Sequence, residues 1–538
     1  MLRKRSSKQQ SCIFDLVIMH GATSKPSHKS SNVLIFNLPL HNSISLSLGN
    51  FVQEHFLQVL HSVHEPTFSE LSAQLVRIEQ SIKHLQEQQL FLKTKINFAS
   101  GVTKLPPELL SDIFRLIFYP IYDLSSDSHE LEPSPLFLGQ VCSSWRDIAW
   151  STPRLWTSLK IVVSRHMSHD LQAQLVEEWI SRSGQLPLSI YLSDPHNILP
   201  KVKGPRRLLT VLAACSDYWE RIDCFPSKSC HMGLANAKGR LPALKELILH
   251  RGSDPSNPSC DLFFRAPSLR DISVVGLRTN SLRLPWSQLQ IFRGAKVELR
   301  ECYELLRLAS NLVHAHFEDV FQDTTTMLPF HPMELITLER LEVLEVRGDT
   351  ERDVGMLLDS VTLPSLLDIS LKAKVGGIHL NPIVSLFYRS ACNVRRVSVL
   401  GSRFSDSNLQ FIDFLHICCS VVELHLSDYP GPHFPPGLSD RFFEMLLDNV
   451  LPDLRVFDYE GTAKFSGIHL LRALETRWAY PNPPASKEGQ IVVPLKSFSL
   501  VSPGASSVDL SPDVLSRLQT LVDEGLDLRI KDIPSHYS

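Results

Sequence analysis

The sequence predicts an α/β fold, a solenoid with parallel strands inside and helices outside, preceded by a small all-α unit and a heptad helix. Three observations carry this reading. First, a six-residue pattern with apolar side chains at its first, fourth and sixth positions recurs from Leu244 to Leu500 in the 538-residue chain. Second, neighbouring copies are mostly about 20 to 33 residues apart, widening to about 41 before the last, the period of stacked supersecondary units. Third, helical periodicity fills the intervals at Tyr303–Leu312, Leu409–Cys418, Arg441–Leu447 and Ile468–Trp478. Each unit then reads strand, turn, helix.

In chain order, residues 1–66 alternate polar patches with short apolar pieces and keep no period, which predicts a poorly ordered tail. From residue 67 to 98, Leu71, Leu75, Ile78, Ile82, Leu85, Gln89, Leu92 and Ile96 are separated alternately by four and three positions. That is a heptad seam. It fits a dimerising coiled coil, hence a homodimer through 67–98, and equally a single helix folded onto its own chain.

Residues 103–158 form the next unit. Pro106 and Pro107 stand where a helix can begin, since proline presets φ and the first turn needs no amide donor. Leu109, Leu110, Ile113, Phe114, Ile117 and Phe118 follow on one broad face until Pro120. A second amphipathic helix gathers Leu138, Val141, Cys142, Trp145, Ile148 and Ala149, with Arg146 and Asp147 opposite. An acidic connection carrying Asp123, Asp127, Glu130 and Glu132 joins the two.

The array occupies residues 159–533. Its copies are Leu244-Leu247-Leu249, Leu269-Ile272-Val274, Leu312-Ala315-Phe317, Leu341-Leu344-Val346, Leu366-Ile369-Leu371, Val394-Val397-Val399, Val421-Leu424-Leu426, Leu454-Phe457-Tyr459 and Leu495-Phe498-Leu500, with a weaker one at Leu289-Phe292-Gly294. The spacing and period match a leucine-rich repeat. Pro242, Pro267, Pro364 and Pro452 punctuate the turns entering several strands. Strands are also expected at Thr157–Val163, Leu186–Leu192 and Trp219–Cys224, with helices near Asp170–Ser181 and Arg206–Cys215. The Val514–Leu521 helix and Leu526–Ile530 strand are placed to cap the far end.

Because side chains alternate across a strand, residues between the inward apolar ones face the concave surface. Substrate-face candidates are Glu246, His250, Arg293, His314, His316, Glu318, Glu345, Arg347, Lys372, Arg396, Glu423 and His425, and the same rule places Ile248, Asp271 and Ser273 there. Solenoids commonly hold partners on such a face; the plain alternative is a solvated sheet surface.

A hydrophobic fraction of 43%, a charged fraction of 21% and a net charge of −3 describe an ordinary soluble protein, with no field favouring nucleic acid or an anionic membrane. No apolar run reaches the roughly 20 residues that span a bilayer, and Asp15 interrupts the short apolar run near the N-terminus that imitates a signal peptide. The first 30 residues, basic and serine-containing with one acid, retain the composition of a mitochondrial presequence. The ten cysteines are scattered without C-x-x-C pairs. Cys224, Cys230 and His231 come nearest to a metal cluster but lack a fourth ligand in register, and the His314 and His316 pair has no further ligands. No Gly-rich phosphate loop, His-Glu-x-x-His or Gly-x-Ser-x-Gly occurs, so neither catalysis nor a cofactor is expected.

Leu105-Pro106-x-Glu108-Leu109, Ile113-Phe114 and Val141-Cys142-x-x-Trp145-Arg146 resemble the F-box, and Ser151-Thr152-Pro153-Arg154-Leu155-Trp156 is similar to F-box proteins abundant in mushroom-forming fungi. The resemblance covers residues 105–160. It implies that Leu105, Pro106, Glu108, Leu109, Ile113, Phe114, Val141, Cys142 and Trp145 dock a Skp-type adaptor and, through it, a cullin, while the repeats bind a protein substrate for ubiquitination. The chain would be a non-catalytic recognition subunit, cytoplasmic or nuclear. The connection from Phe118 to Leu136 is longer than the family usually shows, although an acidic surface loop costs little to lengthen. Three rival readings stand beside it: an interaction scaffold that delivers no substrate, a helical hairpin packed on its own repeats, and a repeat protein with an unrecognised hydrolase or transferase site, which would need several polar residues converging in a deep pocket with perturbed ionisation.

Overall fold

The computed structural model describes residues 67–99, 104–117, 134–163, 167–194, 207–225, 232–251, 260–322, 334–402, 404–405, 408–428, 437–478, 493–503 and 510–533. The readings made above for residues 1–66, for the acidic connection and for Cys230 and His231 lie outside them. The chain divides into two units, one ending at Trp156 and one beginning at Thr157.

In the first unit, Phe68–Ala99 is one helix of 32 residues. Its start is fixed by Glu70, whose carboxylate accepts from the Thr67 amide at 2.8 Å and the Thr67 hydroxyl at 3.0 Å, satisfying a donor that a helix start leaves unpaired. A second helix spans Pro107–Ile117, with Glu108 in its first turn and Arg115 in its last, the signs the helix dipole favours. The expected second amphipathic helix is broken into Leu138–Val141 and Ser143–Trp150. Cys142 makes the break: its backbone is extended (φ −160°), and its Sγ accepts from the Trp145 amide at 3.5 Å, capping the second piece.

Among the described residues of this unit Leu110, Phe114, Pro135, Leu138, Ala149, Leu155 and Trp156 are buried. The Phe114 ring lies 4.9 Å from that of Trp145, and Trp150 meets Trp156 edge-on at 5.4 Å. The Trp156 indole donates to the Ala149 carbonyl at 2.8 Å, so its buried N–H is satisfied. A β-carbon at Gly139 would fall 2.5 Å from the Trp150 ring. Only glycine fits there without moving the indole.

The second unit carries a 14-stranded parallel sheet. Its strands are β1 (Ser158–Val162), β2 (Leu188–Ser193), β3 (Trp219–Cys224), β4 (Glu246–His250), β5 (Asp271–Val275), β6 (Ile291–Ala295), β7 (His314–Val320), β9 (Val343–Thr350), β11 (Asp368–Val375), β12 (Arg396–Ser402), β13 (Glu423–Asp428), β14 (Val456–Glu460), β15 (Ser497–Pro503) and β16 (Asp527–Ile533), hydrogen-bonded in chain order. The short β8 (Ile336–Thr337) and β10 (Val361–Thr362) pair separately, also in parallel.

Register explains the sequence pattern. Leu247, Ile272, Phe292, Ala315, Leu344, Ile369, Val397, Leu424, Phe457 and Phe498 align across the sheet, as do Leu249, Val274, Gly294, Phe317, Val346, Leu371, Val399, Leu426, Tyr459 and Leu500. These two rows and the inner faces of the helices form one continuous buried core. At β6 and β7 the rows trade volume: Phe292 aligns with Ala315 and Gly294 with Phe317, so the two rings pack diagonally at 5.6 Å. A β-carbon at Gly294 would lie 2.7 Å from the Phe292 ring. The weakest sequence copy is therefore a steric complement to its neighbour.

Two stretches of the array depart from the helical pattern read in the sequence. Tyr303–Leu312 was the expected span, whereas the helix runs Leu299–Leu308, because Ala309 to Leu312 form the turn into β7. Among the described residues the connections from β4 to β6 carry short 3₁₀ turns, and the one from β3 to β4 ends in such a turn after helical Met232 and Gly233, which accommodates their close spacing.

Two arginines tie successive repeats. Arg389 donates to the Leu358 and Val361 carbonyls at 2.8 Å each, and buried Arg477 donates to Leu446, Val450 and Leu451 at 3.0, 2.6 and 2.9 Å. Each satisfies carbonyls at the C-terminal end of the helix one repeat earlier, Glu351–Asp359 or Asp440–Leu447.

Candidate binding surfaces

The first surface lies on the Pro107–Ile117 helix. Its apolar residues divide between two faces, whereas the sequence suggested one. Leu110 and Phe114, four apart, turn inward. Leu109, Ile113, Leu116 and Ile117 are 51, 40, 80 and 53% exposed, and Val141 is 53% exposed. Leu105 is half-buried, and Pro106 and Glu108 are exposed. Of the nine residues the resemblance nominated, Phe114 serves the interior, half-buried Trp145 packs against it, and Cys142 caps a helix. Leu116 and Ile117 were not nominated, although each extends the exposed apolar row.

The second surface is the sheet face turned away from the helices. Its polar side chains pair with one another across adjacent strands. Arg221 meets Glu246 at 3.0 Å, His250 meets Asp223 at 2.9 Å, and Arg293 meets Asp271 at 2.6 Å. Further along, His316 meets Glu345 at 2.8 Å, Arg347 meets Glu318 at 2.8 Å, and His425 meets Asp458 at 2.7 Å. Arg396 bridges two strands, 2.6 Å from Asp368 and 2.7 Å from Glu423. His314 and Lys372 are exposed on the same face.

Ionisation follows this pairing. The His316 hydrogen bond holds Glu345 below the usual carboxylate range, and the Arg396 hydrogen bond does the same for Glu423. Burial pushes Glu246 up despite Arg221. Ile248 and Ser273, expected to face solvent, are 0 and 2% exposed. They sit side by side in register on β4 and β5, two residues along from Glu246 and Asp271, which pair with Arg221 and Arg293. A face of paired long side chains can bury what lies beneath it.

A third feature was missed in the sequence because it lies just beyond the strands. A cleft of about 770 Å³ follows the C-terminal ends of β3 to β11, lined by Arg251, Arg278, Lys296, Glu298, Glu301, Asp319, Asp349 and Lys374 among others. Lys374 bonds Asp319 at 2.6 Å and Asp349 at 3.0 Å. Lys296 and Asp319 adopt left-handed backbone conformations (φ 57° and 54°) just beyond the fifth residue of their strands, where Gly276 follows β5 (φ 64°). Glu301 is raised to about 7 by burial and by nearby Glu298, against the pull of Arg278. No serine, threonine or cysteine is among the described lining residues, so the cleft offers charge and shape without a hydroxyl or thiol nucleophile.

Among the described residues, no group of three or more His, Cys, Asp or Glu side chains is placed to hold a metal ion, and no helix is long and apolar enough to cross a membrane.

No protein-family model matches the chain, and no curated protein matches it. Among solved structures, a chain in the crystal structure of the yeast Rad7 and Elc1 complex is similar at 13% identity and a TM-score of 0.25, over 86% of this chain and 98% of that one. A likeness this slight bears on neither fold nor function.

Proposed function

We propose that the protein is the substrate-recognition subunit of a Skp–cullin–F-box ubiquitin ligase. In this reading residues 105–156 dock the Skp-type adaptor and the polar sheet face holds a protein substrate. The observation that carries the proposal is the exposed row of Leu109, Ile113, Leu116 and Ile117 with Val141, on a unit that has its own buried core. Five large apolar side chains left in water on so small a unit suit a protein interface. The F-box-like residues supply the kind of partner. The chain itself performs no chemistry; it raises the local concentration of a substrate lysine near a charged conjugating enzyme.

Co-purification with the host's Skp-type adaptor and cullin tests the proposal. The comparison variant is Leu109→Glu with Ile113→Glu, which leaves Leu110, Phe114 and Trp145 in place. Wild type is expected to retain both proteins and the variant neither. Retention of adaptor without cullin would instead indicate a scaffold that delivers no substrate, and retention of neither by wild type would refute adaptor docking.

A further inference from the structure

The Phe68–Ala99 helix has no role in the function proposed above, and its surface is unusual. Every side chain described from Phe68 to Ile96 is exposed. Phe68, Leu71, Leu75, Ile78, Ile82, Leu85, Leu92 and Ile96 are 44 to 89% exposed. They form a straight seam, and covering it would remove roughly 800 Å² per helix from water, about what each partner contributes to a stable interface.

We infer that the occupant of this seam is a second copy of the same helix, running parallel and in register. The three- and four-residue steps assign Phe68, Leu75, Ile82, Gln89 and Ile96 to heptad position a, and Leu71, Ile78, Leu85 and Leu92 to position d. Isoleucine at a with leucine at d favours two parallel strands; this seam has leucine at three of its four d positions (Leu71, Leu85 and Leu92) and isoleucine at a in Ile82 and Ile96, with the order reversed only at Leu75 and Ile78. Gln89 fixes the alignment. In a parallel, unstaggered pair it meets Gln89 of the partner subunit and its amide is satisfied there. In an antiparallel or shifted pair it would face an apolar residue and stay unpaired.

The flanking positions agree. Gln74 faces Glu79 of the partner subunit, Ser81 faces Gln86 of the partner subunit and Gln88 faces Lys93 of the partner subunit, so no like charges are opposed. Off the seam, Val76, Leu90 and Phe91 are also exposed, but they form no continuous stripe, and the Lys95 ammonium lies 4.6 Å from the Phe91 ring centroid. The a and d stripe is the continuous apolar face. Pairing would make the protein bivalent: the chain from Ala99 to Pro107 spans at most about 28 Å, so two copies of the apolar row at Leu109 to Ile117 and two repeat arrays are held together, and a partner with two sites binds with avidity.

Sedimentation equilibrium of the full chain at micromolar concentration tests this. Wild type is expected at twice 60.8 kDa. Ile82→Glu with Leu85→Glu should weaken association at least about a hundredfold, because unpaired carboxylates resist burial, while thermal unfolding of the repeats is unchanged. Direction and register are read by oxidation: Gln89→Cys should form a reducible cross-linked dimer at least about tenfold faster than Gln80→Cys, which points outward from the seam. Four results would overturn the inference. They are a monomeric wild type, a dimer indifferent to the double variant, equal cross-linking at positions 89 and 80, and a monomer that uses the seam to hold a different protein.

Discussion

The helical unit up to Trp156 and the repeat unit from Thr157 treat their apolar residues in opposite ways. In the first, residues of the Pro107–Ile117 helix and the whole Phe68–Ala99 seam remain in water. In the second, the strand leucines, isoleucines and phenylalanines are nearly all inside one core, and much of the polar face is paired across strands. Apolar exposure costs free energy until a partner covers it. A paired polar face costs little and exchanges its bonds with a visitor at little gain, so it contributes selectivity and encounter rate more than affinity. Under the function proposed above, the first unit would serve firm docking and the second discriminating contact.

The largest effect that should separate them is a core truncation in the repeats. Phe457 is fully buried, its ring 5.0 Å from Phe442 and 5.4 Å from Phe498. Phe457→Ala should lower stability by about 3 to 5 kcal/mol, read as a shift in the urea midpoint. Arg477→Met should follow at about 3 kcal/mol, since it strands several carbonyls at the end of the preceding helix. On the other unit, Leu109→Glu with Ile113→Glu should change stability by less than about 0.5 kcal/mol, yet abolish adaptor retention. Equal stability losses in the two units would end the contrast.

Much of the solenoid was legible in the sequence, and the reason is its period. Strand face and core are set by a local alternation, so each copy from Leu244 to Leu500 announces the same geometry. Even the weak copy at Phe292 and Gly294 was readable, although its reason, the diagonal fit with Ala315 and Phe317, needed the neighbouring strand. Features that depend on three-dimensional neighbours were not readable. Leu109 and Leu110 are chemically alike and adjacent, yet Leu110 lies inside with Phe114, which packs on Trp145, while Leu109 faces water. The cleft at the strand ends was missed because residues as far apart as Arg251 and Lys374 meet there without sharing any periodic signal.

A moderate effect is expected at that cleft. Glu301 has its folded-state pKa raised from 4.5 to about 7, first by burial and then by Glu298. The folded state therefore binds the proton more tightly than the unfolded chain does. The stabilisation is fully present below about 4.5 and is lost as pH rises through about 7. Glu301→Gln removes the penalty, so the variant should exceed wild type by about 1 kcal/mol at pH 8, allowing for screening by water, and match it near pH 4. Thermal midpoints across that range measure the difference. Asp428, raised to about 6 by burial, shares the sign. However, it accepts from the Tyr459 hydroxyl at 2.5 Å and the Thr462 amide at 3.2 Å, so Asp428→Asn should lose more in those contacts than it gains.

The smallest effect is expected on the polar face, where it also discriminates most finely. Arg396 is about half exposed and holds Asp368 and Glu423. Because its hydrogen bond depresses Glu423, the contribution is present above the unfolded carboxylate range near 4.5 and lost as pH falls through the folded value. Arg396→Met should therefore cost less than about 1 kcal/mol at pH 7, with the difference from wild type closing in acid as Glu423 becomes protonated. A titration of Glu423 by NMR should show its pKa returning to the ordinary range in the variant. If the face holds a protein substrate, the same substitution should weaken that complex by more than it weakens the fold, since a visitor must compete for Asp368 and Glu423 while the fold merely tolerates their release. Equal losses would mean that this row of pairs serves the sheet rather than recognition.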